Sequence, residues 1–130
     1  MLRVFLDANV LFSAAYREGA GLQALWKNTD LELITSGYAA EEARLNLDTD
    51  ERRSRLADLL SAVRVESEAP LLPLPAGIRL AEKDAPILRA AIAAGATHLL
   101  TGDLRDFGHL LGRRVAGIEI QTPGDFLRRR

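Results

Sequence analysis

The chain has 130 residues, with 17 Lys or Arg against 18 Asp or Glu, so its net charge at pH 7 is −1. Its 48% hydrophobic and 27% charged residues are typical of a globular protein, and we expect a single domain over residues 1–130. The absence of cysteine excludes disulfide scaffolds and thiolate metal sites. Because the sequence has neither a signal-peptide pattern nor an apolar run of about 18 residues, we expect a cytoplasmic protein with no membrane partner.

Strands and helices alternate in the first half of the chain. The predicted elements are a buried strand at 2–6, a helix at 8–16, a short helix at 22–26, a strand at 31–35, and helices at 38–47 and 50–60. The last of these begins at Asp50, which we expect to cap it.

The second half of the chain continues this alternation. It is predicted to contain a weak strand at 63–65, a proline-bearing connection at 70–77, a helix from Asp84 to Gly95, a strand at 97–101, a helical turn at 104–111, a strand at 118–121 and a terminal helix from Pro123. Strands that alternate with helices indicate an α/β fold whose mainly parallel sheet is covered on both faces.

Four acidic residues lie near the strand ends of this predicted sheet. Asp7 closes the first strand, and Asp103 follows the fourth after Gly102. Glu42 lies in the helix that follows the second strand, and Asp84 begins the helix that precedes the fourth. Ligand sites of parallel sheets lie outside the carboxyl ends of the strands, so all four acids can reach one such site.

Each acid also has a purely structural interpretation. Asp7, Asp84 and Asp103 could each be a helix N-cap, worth about 1 kcal/mol, and Glu42 could be a solvated helix residue. Together they favour a metal site, because two carboxylates about 4 Å apart repel by about 4 kcal/mol at an effective dielectric near 20. Oxygen ligands without cysteine or a histidine pair favour Mg²⁺ or Mn²⁺, and such a cluster suits metal-assisted phosphodiester hydrolysis.

The sequence resembles the PIN-domain family in four motifs that occur in order. They are Leu6-Asp7-Ala8-Asn9-Val10-Leu11, Ser36 followed six residues later by Glu42, Asp84 heading Ala85-Pro86-Ile87-Leu88, and Leu100-Thr101-Gly102-Asp103 with Asp106-Phe107. With the closing Pro123-Gly124-Asp125-Phe126-Leu127, the resemblance covers nearly the whole chain. It implies a three-layer α/β/α sandwich and an endoribonuclease that uses Mg²⁺ or Mn²⁺.

The resemblance also implies which residues form the site. Asp7, Glu42, Asp84 and Asp103 match the catalytic, metal-binding acids, and Asp106 matches an additional metal-binding acid. Asn9 and Thr101 match polar positions that support the site. Helical phase favours Glu42 over Glu41, although a slip by one residue stays open.

The basic residues are almost all arginine, whose planar guanidinium suits phosphate. Candidate RNA contacts are Arg52, Arg53, Arg113 and Arg114, and the alternative is that they form solvated surfaces. A net charge of −1 does not exclude RNA, because setting aside the four negative charges of the acidic set leaves +3 on the rest of the chain.

Other enzyme classes fit the sequence less well. A response receiver requires an acidic pair after its first strand, but Asp7 is followed by Ala8 and Asn9. A phosphatase with an Asp-x-Asp motif fails at Asn9, and the P-loop signature is absent. Within the PIN-domain family, small members resemble VapC-type toxins, which implies an antitoxin partner and a homodimer. The alternatives are a PIN-like protein-binding module and a non-toxin RNA-processing nuclease.

Overall fold

The computed structural model describes residues 1–67 and 73–129. Its strands are β1 (Leu2–Leu6), β2 (Leu31–Ser36), β3 (Arg64–Glu66), β4 (His98–Leu100), β5 (Arg114–Val115) and β6 (Ile118–Gln121). Its α-helices are α1 (Ala8–Ala15), α2 (Ala24–Lys27), α3 (Gly37–Asn46), α4 (Asp50–Leu60), α5 (Ala85–Ala93) and α6 (Pro123–Arg128). Short 3₁₀ helices lie at Gly21–Gln23 and Gly108–Leu110. None of the helices in the described ranges is long and apolar enough to cross a membrane.

The six strands form one sheet in the order β3-β2-β1-β4-β6-β5. All neighbouring strands are parallel except β5, which pairs antiparallel with β6. The chain builds the sheet outward from β1 to β3 and then returns to the other side of β1 to add β4. The carboxyl ends of β1 and β4 therefore meet at the switch point of the sheet, where α/β folds place their ligand sites.

The core lies on both faces of the central strands. Val4, Phe5 and Leu6 of β1 are fully buried although their side chains alternate between the two faces, so both faces of the sheet are covered. Leu11 of α1 and Leu88 of α5 are also fully buried. These observations confirm the predicted α/β class, and the fold is a three-layer α/β/α sandwich.

Most predicted elements are confirmed, with corrections at their ends. Helix α4 is capped by Thr49, whose hydroxyl accepts a hydrogen bond from the Arg52 amide at 3.1 Å, so the predicted Asp50 cap is wrong. The predicted helical turn at 104–111 narrows to the 3₁₀ helix at Gly108–Leu110. Of the predicted connection at 70–77, residues 70–72 lie outside the described residues, and the rest contains neither helix nor strand.

Strand β5 was not predicted from the sequence. It forms a hairpin with β6, and the two residues between these strands, Ala116 and Gly117, have positive φ angles of 51° and 82°. Two-residue hairpin loops with positive φ at both positions usually carry Asn-Gly or Asp-Gly. Since Ala116 lacks that signal and β5 has two residues, no pattern in the sequence indicated the hairpin.

Candidate active site

Asp7 lies where β1 ends and α1 begins, and its side chain is buried, with a relative exposure of 4%. Its Oδ1 accepts a hydrogen bond from the Ala8 amide at 2.7 Å, so the capping interpretation holds for this residue. Its Oδ2 accepts hydrogen bonds from the Thr101 hydroxyl at 2.7 Å and from the Asn9 side-chain amide at 3.2 Å. A carboxylate offers about four acceptor sites, so these three bonds leave capacity for one further ligand.

Asn9 and Thr101 join the loop after β4 to the first turn of α1. The Asn9 side-chain oxygen accepts a hydrogen bond from the Gly102 amide at 2.7 Å. Thr101 is fully buried, and its hydroxyl oxygen accepts a hydrogen bond from the Asp103 amide at 3.0 Å. A Cβ atom at Gly102 would lie 3.2 Å from the Asn9 oxygen, so glycine allows this close approach. The structure thus places both predicted supporting residues between Asp7 and Asp103.

Asp84, Asp103 and Asp106 form the tightest acidic group in the described part of the chain. One carboxylate oxygen from each lies within 4.8 Å of the others. Asp103 Oδ1 also accepts a hydrogen bond from the Asp106 amide at 3.0 Å, which fixes the turn between them. The family resemblance implied Asp106 as an additional metal-binding acid, and the structure places it beside two of the four principal acids, Asp84 and Asp103.

Asp84 is buried, with a relative exposure of 7%, and its Oδ2 atom accepts no hydrogen bond from any described residue. The residue stands at the N-terminus of α5, but its side chain makes no capping hydrogen bond, so the capping interpretation is wrong here. A buried polar atom without a partner costs about 1–3 kcal/mol. Such an orphaned carboxylate oxygen among other acids fits a bound cation or a proton.

The pKa values of the two buried acids reflect this crowding. Burial raises the pKa of Asp84 to about 7, and the adjacent Asp106 carboxyl acts in the same direction. Burial also raises the pKa of Asp7 and outweighs the hydrogen bonds from Thr101 and Ala8 that lower it. By contrast, the Lys83 ammonium holds the pKa of Asp106 below its ordinary value.

Helix α3 presents Glu42 to the same site. Ser36 caps this helix, with its hydroxyl accepting a hydrogen bond from the Ala39 amide at 3.1 Å. Glu42 faces a cleft that Asp7 also lines, whereas Glu41 is exposed and binds Arg44 through two hydrogen bonds of 2.6 and 2.9 Å. The structure thus brings Glu42, rather than Glu41, together with the other acids.

Four of the five acids line a cleft of about 440 Å³, and Asp106 is the exception. Its lining residues are Asp7, Ala8, Asn9, Phe12, Glu42, Asn46, Lys83, Asp84 and Asp103. Sequence reasoning missed Phe12, Asn46 and Lys83. Asn46 follows Glu42 by four residues and so lies on the same side of α3, which helical spacing could have indicated. Lys83 is adjacent to Asp84 in the sequence, but that alone does not show where its side chain lies.

The predicted RNA-binding arginines lie elsewhere, since the described residues that line the cleft include none of them. Arg52 donates hydrogen bonds to Asp48 at 2.6 Å and to the Tyr16 carbonyl at 2.7 Å, and its guanidinium lies 3.8 Å from the centre of the Tyr16 ring. Arg53 pairs with Asp50 at 3.3 Å. The structure therefore gives both side chains intramolecular partners.

The second pair of predicted arginines lies at the far edge of the sheet. Arg114 binds Glu119 at 2.9 Å on the edge hairpin, and Arg113 is exposed. Glu119 is level with His98 at the amino end of β4. Arg114 is thus displaced from the carboxyl edge of the sheet, where the acids gather.

Comparisons with known proteins agree with this architecture. A family model described as PIN domain matches residues 3–105, which include Asp7, Glu42, Asp84 and Asp103 and end one residue before Asp106. A comparison with curated protein sequences found no match.

Several solved structures are similar to this chain. One is VapBC2 from Rickettsia felis bound to a DNA fragment from its promoter, with a TM-score of 0.61, 16% identity, and coverage of 93% of this chain and 98% of that chain. VapBC-1 from nontypeable Haemophilus influenzae has a TM-score of 0.59, 15% identity and coverage of 95% and 99%. VapC20 from Mycobacterium tuberculosis, a sarcin-ricin loop cleaving toxin, has a TM-score of 0.54, 18% identity and coverage of 77% and 91%. At these identities the similarity establishes the fold.

Proposed function

The chain belongs to the PIN domain family, and from this premise we propose that it is a metal-dependent endoribonuclease that hydrolyses RNA phosphodiester bonds. The observation that carries the proposal is the convergence of Asp7, Glu42, Asp84 and Asp103 on one cleft. These residues come from four separate segments of the chain, and the sheet topology brings them to the switch point. We propose that residues 1–130 act as one nuclease domain in the cytoplasm.

The donor set of the cleft fits a hard divalent cation, because every candidate ligand is a carboxylate oxygen. Asp84 and Asp103, with Asp106 beside them, would hold Mg²⁺ or Mn²⁺, and the orphaned Oδ2 of Asp84 supports this assignment. When bound, such an ion activates water and neutralises charge on a phosphoryl group. No cysteine, and no pair of histidines in the cleft, offers a softer metal an alternative.

We propose that the other two acids of the cleft, Asp7 and Glu42, have different roles. Asp7 is held by Thr101 and Asn9, so one carboxylate face stays directed into the cleft. Glu42 lines the same cleft from α3, where its carboxylate would accept a hydrogen bond from the attacking water and orient it towards phosphorus. In this proposal water is the nucleophile, so no side chain needs to form a covalent bond to phosphorus.

We further propose that the protein is the toxin of a toxin–antitoxin pair and forms a homodimer. The similarity to the VapBC complexes and to the VapC20 toxin supports an antitoxin partner, and for the first two it covers at least 93% of both chains. RNA-processing nucleases without antitoxins and PIN-like binding modules remain the competing functions. The toxin role is tested by expressing this chain alone and together with the product of a neighbouring short reading frame. We expect expression of this chain alone to arrest growth and co-expression to restore it.

The nuclease proposal is tested by incubating the purified protein with total RNA in Mg²⁺ or Mn²⁺ and separately in EDTA. We expect discrete cleavage products with the metals and intact RNA in EDTA. Undiminished cleavage in EDTA would overturn the metal dependence. Loss of metal-dependent cleavage in an Asp103→Asn variant that keeps the native melting temperature would assign the activity to this cleft rather than to a contaminant.

A further inference from the structure

Lys83 is the one cationic side chain among the residues that line the acidic cleft. Its ammonium nitrogen lies 3.2 Å from Oδ2 of Asp106, and its side chain has a relative exposure of 63%. The chain has two lysines, and the other, Lys27, lies at the end of α2 outside this cleft. Lys83 therefore places a solvent-exposed positive charge beside an otherwise acidic site.

The backbone of Lys83 is fixed although its side chain is exposed. The Tyr38 hydroxyl of α3 donates a 3.0 Å hydrogen bond to the Lys83 carbonyl. The next amide, that of Asp84, donates to the Ala81 carbonyl at 2.9 Å. These bonds hold the start of the side chain beside the cleft that Lys83 lines.

The ion pair with Asp106 does not commit the ammonium to one position. An exposed ion pair on a long side chain contributes little to stability and exchanges readily with solvent. Among the described residues, the nearby acids Asp84 and Asp103 act on the Lys83 ammonium through their charge alone. The Lys83 side chain can thus leave Asp106 at a small cost in free energy when another anion binds the ammonium more strongly.

An RNA strand that reaches the cleft brings such an anion. Its phosphates would meet Asp7, Glu42, Asp84 and Asp103, whose charges repel them. A cation bound among the acids would offset this repulsion at the reacting phosphate. The adjacent phosphates of the strand would still lie near carboxylates whose charge is not compensated. A lysine ammonium is a compact point charge with three donors and suits a phosphate oxygen in varied geometries.

We propose that Lys83 is a substrate-binding residue that moves from Asp106 to a phosphate of the RNA backbone when the strand enters the cleft. This inference rests on the proposed ribonuclease function. The competing interpretation is that Lys83 is a permanent counter-ion of Asp106, which would affect metal binding and leave RNA binding unchanged.

The test compares Lys83→Met with Lys27→Met, because both variants remove one lysine charge and both side chains are exposed. Binding of a short fluorescein-labelled oligouridylate is measured by fluorescence anisotropy in Mg²⁺, with Asp7→Asn present in each protein to prevent cleavage. We expect Lys83→Met to bind severalfold more weakly than Lys27→Met. The slope of log affinity against log salt should fall by about 0.7, the value for one lost phosphate contact on a single strand. Lys83→Arg should restore both quantities.

Equal RNA affinity and equal salt slopes in Lys83→Met and Lys27→Met would overturn the proposal. A change confined to Mn²⁺ affinity, measured by electron paramagnetic resonance of free Mn²⁺, would assign Lys83 as the counter-ion instead. An RNA-cleavage assay of the wild type shows whether a negative result concerns the role of Lys83 or the proposed ribonuclease function. If the wild type cleaves RNA and Lys83→Met matches Lys27→Met, the Lys83 role alone fails. If the wild type never cleaves RNA but Lys83→Met weakens binding, the nuclease proposal alone fails.

Discussion

The Thr101 hydroxyl donates a 2.7 Å hydrogen bond to Oδ2 of Asp7, and this bond links the carboxyl ends of the adjacent strands β1 and β4. The same hydroxyl oxygen accepts the Asp103 amide at 3.0 Å. One fully buried hydroxyl thus sets the relative positions of two acids that are distant in sequence. The arrangement makes Thr101 a positioning residue for the site.

Thr101→Val is expected to lower both stability and cleavage. The substitution keeps the side-chain shape but leaves the Asp103 amide without its acceptor, at a cost of about 1–3 kcal/mol. Asp7 would also lose a donor that now orients it. Thr101→Ser is the matched control, because it keeps the hydroxyl and should retain most of the activity. Urea unfolding and initial cleavage rates check the two effects, and a Val variant as active as the Ser variant would contradict the positioning role.

Asp7→Asn is expected to abolish cleavage without lowering the stability of the metal-free protein. Burial raises the pKa of Asp7, which means that its charge is unfavourable in the folded state. Asparagine removes that charge and remains a good N-cap for α1. Asp30→Asn, which neutralises an exposed acid outside the cleft, is the control. Normal metal-dependent cleavage by the Asp7 variant would show that the site is wrongly assigned.

The metal-free protein is expected to become less stable as the pH rises. The pKa of Asp84 is about 7 in the fold against an ordinary value of 3.8, so the folded state binds the proton more strongly than the unfolded state does. The stability that this proton provides is complete below about pH 4 and is lost as the pH rises through about 7. Melting temperatures in EDTA should therefore be higher at pH 5 than at pH 8.

Two controls connect this pH dependence to Asp84. Asp84→Asn should flatten the difference in melting temperature between pH 5 and pH 8, because the variant has no carboxyl to protonate there. Saturating Mn²⁺ should remove or reverse the difference in the wild type, since a metal competes with the proton for the same oxygens. A wild type that is more stable at pH 8 than at pH 5 in EDTA would contradict the account.

Glu42→Gln and Glu41→Gln form a matched pair on one helix. Glu42 lines the cleft, whereas Glu41 is paired with Arg44 on the surface. We expect Glu42→Gln to lower the cleavage rate by about a hundredfold or more, because a positioned general acid or base usually accelerates a reaction by at least that factor. Glu41→Gln should change it little. Initial rates at saturating Mg²⁺ measure both, and the opposite ranking would show that the register is shifted by one residue.

The local parts of the fold and site were accessible from the sequence. The apolar run before Asp7 predicts β1 with its observed bounds, and the spacing from Ser36 to Glu42 identifies the acid that faces the cleft. These features depend on periodicity and short-range spacing. For the same reason the cap of α4 was misplaced by one residue, because Asp50 and Thr49 are both good caps and only the backbone shows which one bonds.

Features that depend on side chains from distant segments were not accessible. Lys83 contacts Asp106, and the Tyr38 hydroxyl of α3 bonds to the Lys83 carbonyl; no sequence pattern encodes either contact. Likewise, the sequence makes Arg52 a candidate phosphate contact, whereas in the structure its guanidinium bonds to Asp48 and to the Tyr16 carbonyl. A charged residue in a sequence can form an ion pair, but its partner depends on which residues the fold places beside it.

Crystals soaked in Mn²⁺ and measured by anomalous diffraction test the central claim most directly, namely that the converged acids hold a divalent ion. We predict an anomalous peak within coordination distance of Asp84 and Asp103, with Asp7 and Glu42 facing the ion across the cleft. The peak should disappear in an Asp103→Asn crystal soaked in the same way. A wild-type crystal that binds no Mn²⁺ in this cleft, although its RNA cleavage depends on the metal, would contradict the account.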